Sequence, residues 1–301
     1  MSRVIVAGSI NMDIVARTKR FPKPGETVLG TEVRLVPGGK GANQAIASSK
    51  LGTDTVLLGA VGADSYGKEL CSFLEHAGVN TCLVKRVHNA ASGTAVIVVN
   101  ETGENTIVVI PGANSMLTES DVLLDSIAQG NILVAQFEIP LSTTLAFFKH
   151  GKSKGTINIL NPSPSQKIPD DLLALSDVVV LNATELNQQT GSVVSPDTAA
   201  DCCRRFQAFK EQIVVLTLGK DGVVAIHQKG IVRELGHSVS AIDSTGAGDC
   251  FVGALASRLA CGDPLEQAVA FANSAAAVSV QRFGAGPSMP TWQEVHDFIQ
   301  S

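Results

Sequence analysis

Short apolar runs rich in β-branched residues recur along the chain at Arg3–Ala7, Thr55–Val61, Ile132–Gln136, Thr156–Leu160, Val178–Leu181 and Ile213–Leu218. Runs this short, with no polar alternation, predict parallel strands buried on both faces. The segments between them carry apolar residues at helical spacing, together with start signals. Thr118-Glu-Ser-Asp121 offers an N-cap with an acid in the first turn. Ser195-Pro196 predicts an N-cap followed by proline at the first helical position, with Ala199, Cys202, Cys203 and Phe206 on one face. Asp263-Pro264-Leu265-Glu266 combines cap, proline and capping acid. This alternation predicts an α/β fold with three layers, α/β/α, around a mostly parallel central sheet.

Two stretches break the rhythm. Between Ile10 and Pro37 no helical pattern appears, but two strands are expected, Asp13–Arg17 and Thr27–Val36, joined through Phe-Pro-Lys-Pro-Gly. Ser92–Pro111 reads as a hairpin of Gly93–Val99 and Asn105–Ile110 around Asn-Glu-Thr-Gly. Inserted β segments of this kind predict a small sheet standing off the α/β body and able to cover a cleft. Its segments are residues 12–18, 26–37 and 92–111. With no internal repeat or linker in view, one domain over residues 1–301 is expected.

Composition narrows the classes of function. Of 301 residues, 45% are hydrophobic and 17% charged, with a formal net charge of −5. That apolar fraction excludes disorder, and no apolar run reaches the ~18 residues of a membrane span. The start, MSRVIVAGSINMD, lacks a secretory pattern, so a cytoplasmic location is expected. Net acidity, one Trp and one Tyr argue against a nucleic-acid partner. The six cysteines form no C-x-x-C pair and the six histidines no ligand spacing. They read as reduced thiols and filler, without a zinc site.

The 28 glycines concentrate the candidate chemistry. Gly62-Ala-Asp-Ser-Tyr-Gly67-Lys68 imitates a phosphate loop, but Glu69 stands where that loop needs a hydroxyl, so a helix capped by Asp64 is expected. Asp243-Ser-Thr-Gly-Ala-Gly-Asp249 precedes an apolar-periodic run, Cys250–Leu259. Its glycines allow N–H groups to converge at a helix N-terminus, which binds anions and stabilises a transferring phosphoryl group. A carboxylate there is repelled by phosphate unless it serves to accept a proton; an ordinary Asp N-cap is the alternative. Pro37-Gly-Gly-Lys-Gly-Ala-Asn-Gln44 opens a helix over Ala42–Leu51 and offers Lys40 and Asn43 to a sugar, or is simply a helix-entry turn. Asn11 and Asp13, two apart on an extended chain, point the same way and suit adjacent hydroxyls, or form an Asx turn. Asn182-Ala-Thr-Glu185 suits a phosphate–Mg²⁺ unit or a capped helix start. Thr217-Leu-Gly-Lys-Asp-Gly222 ends a strand, where open α/β sheets bind ligands. All these segments are expected to face one cleft.

Asn11/Asp13, Gly38-Gly39-Lys40-Gly41-Ala42-Asn43, Asn182-x-x-Glu185, Thr217–Gly222 and Asp243–Asp249 resemble, in order and spacing, the PfkB sugar-kinase family, from Val4 to about Ile299. The Asp-Ser-Thr-Gly-Ala-Gly-Asp element is the most specific. The resemblance is greatest to ribose-phosphorylating members and implies transfer of the γ-phosphoryl group of ATP to the 5-hydroxyl of D-ribose. It implies Asp249 as base, with the Gly246, Ala247 and Gly248 amides as anion hole. Asn11, Asp13, Gly39, Lys40, Gly41, Ala42, Asn43 and Glu138 would hold the sugar. Asn182, Thr217, Leu218, Gly219, Lys220, Asp221, Gly222, Gly248 and Asn273 would bind ATP. Glu185 would meet Mg²⁺ through water, and Asp243, Thr245, Ser279, Arg282, Gly284 and Ser288 would surround K⁺. The small sheet would be a lid that also pairs two subunits into a homodimer. Met12, larger than the residue expected between Asn11 and Asp13, bears on the choice of ribose over 2-deoxyribose. A kinase for another sugar and a catalytically silent sugar or nucleotide sensor are the competing readings.

Overall fold

The computed structural model describes residues 2–301. The chain opens with β1 (Val4–Ala7), β2 (Asn11–Thr18) and β3 (Gly30–Gly38), then α1 (Lys40–Lys50), β4 (Thr55–Gly62), α2 (Ser65–His76) and β5 (Asn80–Val87). A hairpin, β6 (Gly93–Val99) and β7 (Asn105–Ile110), precedes β8 (Ile132–Ala135), α3 (Leu141–Lys154), β9 (Ile157–Leu160), α4 (Asp170–Leu175) and β10 (Val178–Asn182). There follow α5 (Ala183–Thr190), α6 (Ala199–Phe206), β11 (Ile213–Thr217), β12 (Val223–His227) and β13 (Gly230–Glu234). Three helices close the chain, α7 (Ala247–Ala260), α8 (Leu265–Ser279) and α9 (Trp292–Gln300).

Nine strands form the main sheet in the order β13-β12-β11-β10-β9-β8-β1-β4-β5. From β5 to β11 every pairing is parallel; β12 and β13 add an antiparallel edge. Alternation along β1 assigns the two faces. Val4 and Val6 pack into a core with α1, α2, α7, α8 and α9, whereas Ile5 and Ala7 pack toward α3 and α4. The result is the predicted three-layer α/β/α body. A second sheet, in the order β3-β2-β6-β7, forms no strand pairing with it. All six residues of β7 are exposed, so this sheet is covered little by the body.

Several predicted boundaries shift for local reasons. Thr118 does form a capping box with Asp121, but it caps only the 3₁₀ turn Glu119–Val122, and the α-helix begins at Leu141. The Ser195-Pro196 signal builds a turn in which Ser195 N–H donates to Thr198 Oγ1, and α6 starts three residues later than expected. The face of Ala199, Cys202 and Cys203 is buried as expected. Asp263 does not cap α8; its carboxylate pairs with Arg258 at 3.0 Å, and Pro264 occupies the cap position. Asp64 does cap α2, accepting from Gly67 N–H at 2.7 Å. The helix expected at Ala42 begins at Lys40. The second strand of the small sheet begins at Gly30 where Thr27 was expected, and β2 begins at Asn11. Strands β5 and β13 carry no buried apolar run, because β5 is half exposed and β13 is an outer edge; Val223-Val224-Ala225-Ile226 of β12 is a buried apolar run that the predicted strands leave out.

Close backbone approach accounts for one glycine. A Cβ on Gly41 would stand 2.5 Å from the Gly8 carbonyl carbon and 2.7 Å from Ser9 N. These are main-chain atoms of β1's exit, which no rotamer change moves. Gly248 is the opposite case, with nothing within 4 Å of its would-be Cβ. Gly41→Ala is expected to lower unfolding stability by at least about 2 kcal/mol, and Gly248→Ala to raise it by up to about 1 kcal/mol, since alanine is the better helix former. Urea denaturation of both variants tests this; equal destabilisation would contradict it.

Candidate active site

The predicted segments meet at the carboxyl ends of the parallel strands. β1 leads to Ser9, β8 to Gln136 and Glu138, β9 to Asn161, β10 to Asn182 and β11 to Thr217. This is where open α/β sheets bind ligands. A cavity of about 310 Å³ there is lined by Lys40, Asn161, Asn182, Glu185, Thr217, Gly246, Gly248 and Asp249. It adjoins a second of about 310 Å³, bounded by Thr217, Lys220, Gly222, Ala247, Phe251 and Asn273. Toward the small sheet lies a third, of about 350 Å³, lined by Asn11, Asn114, Phe137 and Glu138.

Asp249 occupies the first turn of α7 and is buried. Gly246 adopts φ 77°, a left-handed conformation natural to glycine, and turns the chain into the helix. The Ala247 N–H, expected in the anion hole, donates to Ser244 O at 3.2 Å, so this amide is engaged within its own turn. Among the described residues no backbone carbonyl takes the N–H of Gly248 or Asp249. The Asp249 carboxylate accepts from Asn43 Nδ2 on Oδ2 and from Gln44 Nε2 on Oδ1, both at 2.9 Å. Beside it, burial pushes the Cys250 thiol up to about 12, which leaves it inert at neutral pH.

The sugar-side residues cluster as expected. Asn11 is buried, and its Oδ1 accepts from Asn114 Nδ2 at 2.8 Å; this fixes the amide so that its NH₂ end is unspent. Gly38 lies opposite Asn11 in the β2–β3 register, and a side chain there would strike the Asp13 carboxylate. Glu138 accepts from Ser9 Oγ at 2.5 Å and from Lys40 N at 3.2 Å. Asn43 Oδ1 is buried without a partner. Gly39 (φ 93°) caps α1; Gly41 N–H reaches Ser9 Oγ at 3.5 Å and Ala42 N–H donates to Ser9 O at 2.9 Å, so these positions shape the turn from within. Met12 is fully buried in the hydrophobic core.

On the nucleotide side, Asn182 and Glu185 form a reciprocal capping box, with Glu185 N–H to Asn182 Oδ1 at 2.8 Å and Asn182 N–H to Glu185 Oε2 at 2.9 Å. The cap leaves the Asn182 NH₂ free at the cleft. The Thr217–Gly222 loop is closed by Leu218 N–H to Gly222 O at 2.8 Å and by a 3₁₀ turn over Gly219–Asp221. Asn273 donates to Leu235 O at 2.8 Å and lines the outer cavity. Of the residues assigned to K⁺, Asp243 joins two: its carboxylate accepts from Thr245 N–H at 2.9 Å and from Gly284 N–H at 2.9 Å. Ser288 Oγ donates to Ala285 O at 2.8 Å, and Ser279 O accepts from Arg282 N–H at 3.1 Å. The Arg282 side chain turns away to Glu294.

Charge in the cleft is shared. Burial, more than the neighbouring Glu138 and Asp249, raises the Asp13 carboxyl to about 7. Burial works against the Lys40 ammonium, but Asp249, Glu138 and Glu185 together hold it above its usual range. Glu185 is raised by burial, partly offset by the Asn182 N–H and by Lys40. Gln44, Gln136, Asn161 and Asn114 are the polar residues of this region that sequence reasoning missed. Their amides show no spacing pattern and meet only through the fold.

The sequence pattern of the pfkB family carbohydrate kinases matches residues 1–292. The chain belongs to this family. Among family relatives, the ribokinase of Bacillus subtilis is 38% identical over 304 residues, spanning 99% of this chain and 100% of its own. Ribokinase from Thermotoga maritima superposes with a TM-score of 0.90 at 34% identity, covering 100% of both chains. Ribokinase from Arabidopsis thaliana, solved with ribose and ATP, gives a TM-score of 0.90 at 31% identity over 100% of both chains. As a pfkB kinase the chain is an ATP-dependent sugar kinase with a mostly parallel α/β body and a smaller sheet.

The raised Asp13 carboxyl has a stability consequence of definite sign. Its folded value, about 7, lies above the ordinary aspartate value of 3.8. The folded state therefore holds a proton that the unfolded chain releases, and stability falls as pH rises from about 4 to 7. Asp13→Asn is expected to be more stable than wild type at pH 8, by about 2 kcal/mol or more, and to lose that advantage near pH 4. Denaturation curves at both pH values check it; a difference independent of pH would contradict it.

Proposed function

We propose that this protein transfers the γ-phosphoryl group of ATP to the 5-hydroxyl of D-ribose, with Asp249 as the general base. The observation that carries the reading is a carboxylate held by two side-chain amides in the first turn of α7, beside unspent backbone N–H groups. A carboxylate disfavours phosphate at such a helix N-terminus and is explained there by proton transfer. The 5-hydroxyl gives its proton to Asp249 as its oxygen bonds to the γ-phosphorus. The bond from phosphorus to the β–γ bridging oxygen breaks, and ADP leaves. Negative charge on the transferring group falls on the Gly246–Gly248 turn, where the Gly248 position offers open space and a free N–H.

Ribose is held by Asn11, Asp13, Gly39, Lys40, Gly41, Ala42, Asn43 and Glu138. The unpartnered Asn43 Oδ1 and the unspent Asn11 NH₂ are the acceptor and donor that sugar hydroxyls satisfy. ATP lies along Asn182, Thr217, Leu218, Gly219, Lys220, Asp221, Gly222 and Asn273. Glu185, the carboxylate lining the central cavity besides Asp249, suits Mg²⁺ through water, because that ion takes few protein oxygens when phosphates supply the rest. When bound there it would neutralise part of the phosphate charge. The oxygens of Asp243, Thr245, Ser279, Arg282, Gly284 and Ser288, mostly backbone carbonyls, suit the hard cation K⁺. The hydrogen bonds of Asp243 already draw its two loops together.

The small sheet is a lid over the sugar side. Its Val33 (66% exposed) and Val108 (58% exposed) leave an apolar face that a second copy covers, giving a homodimer. Use of ATP and a net charge of −5 fit a cytoplasmic enzyme without nucleic-acid partners. Among the described residues no helix is long and apolar enough to cross a membrane.

The test is a coupled assay of ADP release over ribose, 2-deoxyribose, fructose and adenosine. The highest kcat/KM is expected for ribose, and Asp249→Ala is expected to bind ribose while losing about 100-fold or more in kcat. Preference for another substrate, or turnover retained in that variant, would overturn the assignment. A rate in K⁺ buffer above that in Na⁺ buffer is also expected; equal rates would remove the cation assignment.

A further inference from the structure

We propose that Gln44, held in a single orientation by Gln136, is the positioning residue that aims Asp249 at the acceptor hydroxyl. The proposal rests on the assignment of Asp249 as the base.

Gln44 is fully buried on α1. Its Nε2 donates to Asp249 Oδ1 at 2.9 Å and to Asn161 Oδ1 at 3.1 Å, and its Oε1 accepts from Gln136 Nε2 at 2.6 Å. Asn161 Nδ2 in turn donates to Val180 O at 3.1 Å. The order of donors and acceptors runs one way. Reversing Gln44 would set its carbonyl oxygen against both the Asp249 carboxylate and Asn161 Oδ1. Reversing Asn161 would oppose its oxygen to the Val180 carbonyl. The Gln44 amide is therefore fixed at Nε2 by Asp249 and by Asn161, itself set by Val180 O of β10, and is met at Oε1 by Gln136, whose own Oε1 is buried without a partner.

Gln44 also differs from its neighbour in what it has left to give. Asn43 donates to the other oxygen of Asp249 and keeps an unpartnered Oδ1, so it has an acceptor for substrate. Gln44 has both N–H groups engaged, so it acts through Asp249. Room for this relay is made by Gly8, where a Cβ would collide with Gln136 Oε1. Lys40 from α1, Asp13 from β2, Glu185 from α5 and the adjacent Cys250 are the other ionisable groups that feel Asp249. None of them donates a hydrogen bond to it among the described residues. The amides of Asn43 and Gln44 thus hold the carboxylate, and charge-assisted hydrogen bonds of this kind fix geometry strongly. A base displaced by about 1 Å loses about 100-fold in rate.

The experiment measures kcat and KM for ribose and ATP against pH in wild type, Asp249→Ala, Gln44→Met, Gln44→Glu and Gln136→Met. Gln44→Met is expected to lower kcat about 10- to 100-fold with both KM values within about twofold. Gln136→Met, which leaves Gln44 in place, is expected to show the same split with a smaller loss, and serves if Gln44→Met does not fold. Gln44→Glu sets a second carboxyl against Asp249, so the acid limb of its kcat profile is expected to move up by about one pH unit or more. An unmoved acid limb in Gln44→Glu, or losses confined to KM in the other two, would overturn the positioning role. Asp249→Ala turning over ribose would instead overturn the assignment of the base, so the two failures are distinguishable.

Discussion

A carboxylate withdrawn from water among other carboxylates persists only where donors take its oxygens, and the rest of the site is arranged around that requirement. Asp249 meets it with one amide on each oxygen, from adjacent residues of α1. Adjacent positions on a helix diverge by about a quarter turn or more, so Asn43 and Gln44 reach one carboxylate only because α1 packs closely alongside α7, where a Cβ on Gly253 would strike Gln44 O. Close approach of β1's exit to the first turn of α1 brings them there, and it is possible because Gly8 and Gly41 lack side chains. The catalytic geometry is in this sense a packing result. The backbones of β1, α1 and α7 set it before any ligand arrives.

The second constraint is the crowding of acids. Asp13, Glu138, Glu185 and Asp249 face one cleft with Lys40 among them, and burial raises Asp13 to about 7. Their environments separate their roles. Glu138 gives one oxygen to Ser9 and the Lys40 N–H and keeps the other, Glu185 closes a helix cap, and Asp13 stands beside Gly38 on the strand that joins body to small sheet. Asp249 stands in the first turn of α7 with both oxygens held by side-chain amides and the Gly248 N–H free beside it, whereas Glu185, in the first turn of α5, gives an oxygen to the Asn182 N–H. A chain of net charge −5 can therefore handle phosphate with backbone amides and metal ions more than with a basic patch.

Much of this was legible in the sequence because strand ends and glycine turns are local. The Gly38–Asn43 turn and Asn182-x-x-Glu185 announce bends at strand ends, the Asp243–Asp249 element announces a glycine turn into a helix, and the fold brings all three to one cleft. Two readings that competed for Asn182 and Glu185, a helix cap and a ligand site, are compatible, since the cap consumes the amide oxygen and spares its NH₂. What stayed hidden depends on tertiary contact. Gln44, Gln136 and Asn161 lie far apart in sequence and have no periodicity to betray them. The start of α6 was misplaced because Ser195 and Thr198 satisfy each other in a turn, and Asp263 because Arg258 attracts it.

The central claim is that Asp249, among several carboxylates, receives the proton of the acceptor hydroxyl. A crystal structure with ribose and a non-hydrolysable ATP analogue tests this most directly. The account predicts the ribose 5-oxygen within about 2.6–3.2 Å of an Asp249 oxygen and a γ-phosphate oxygen facing the Gly248 N–H. A 5-oxygen turned instead to Asp13 or Glu138, or a γ-phosphate away from that turn, would contradict it.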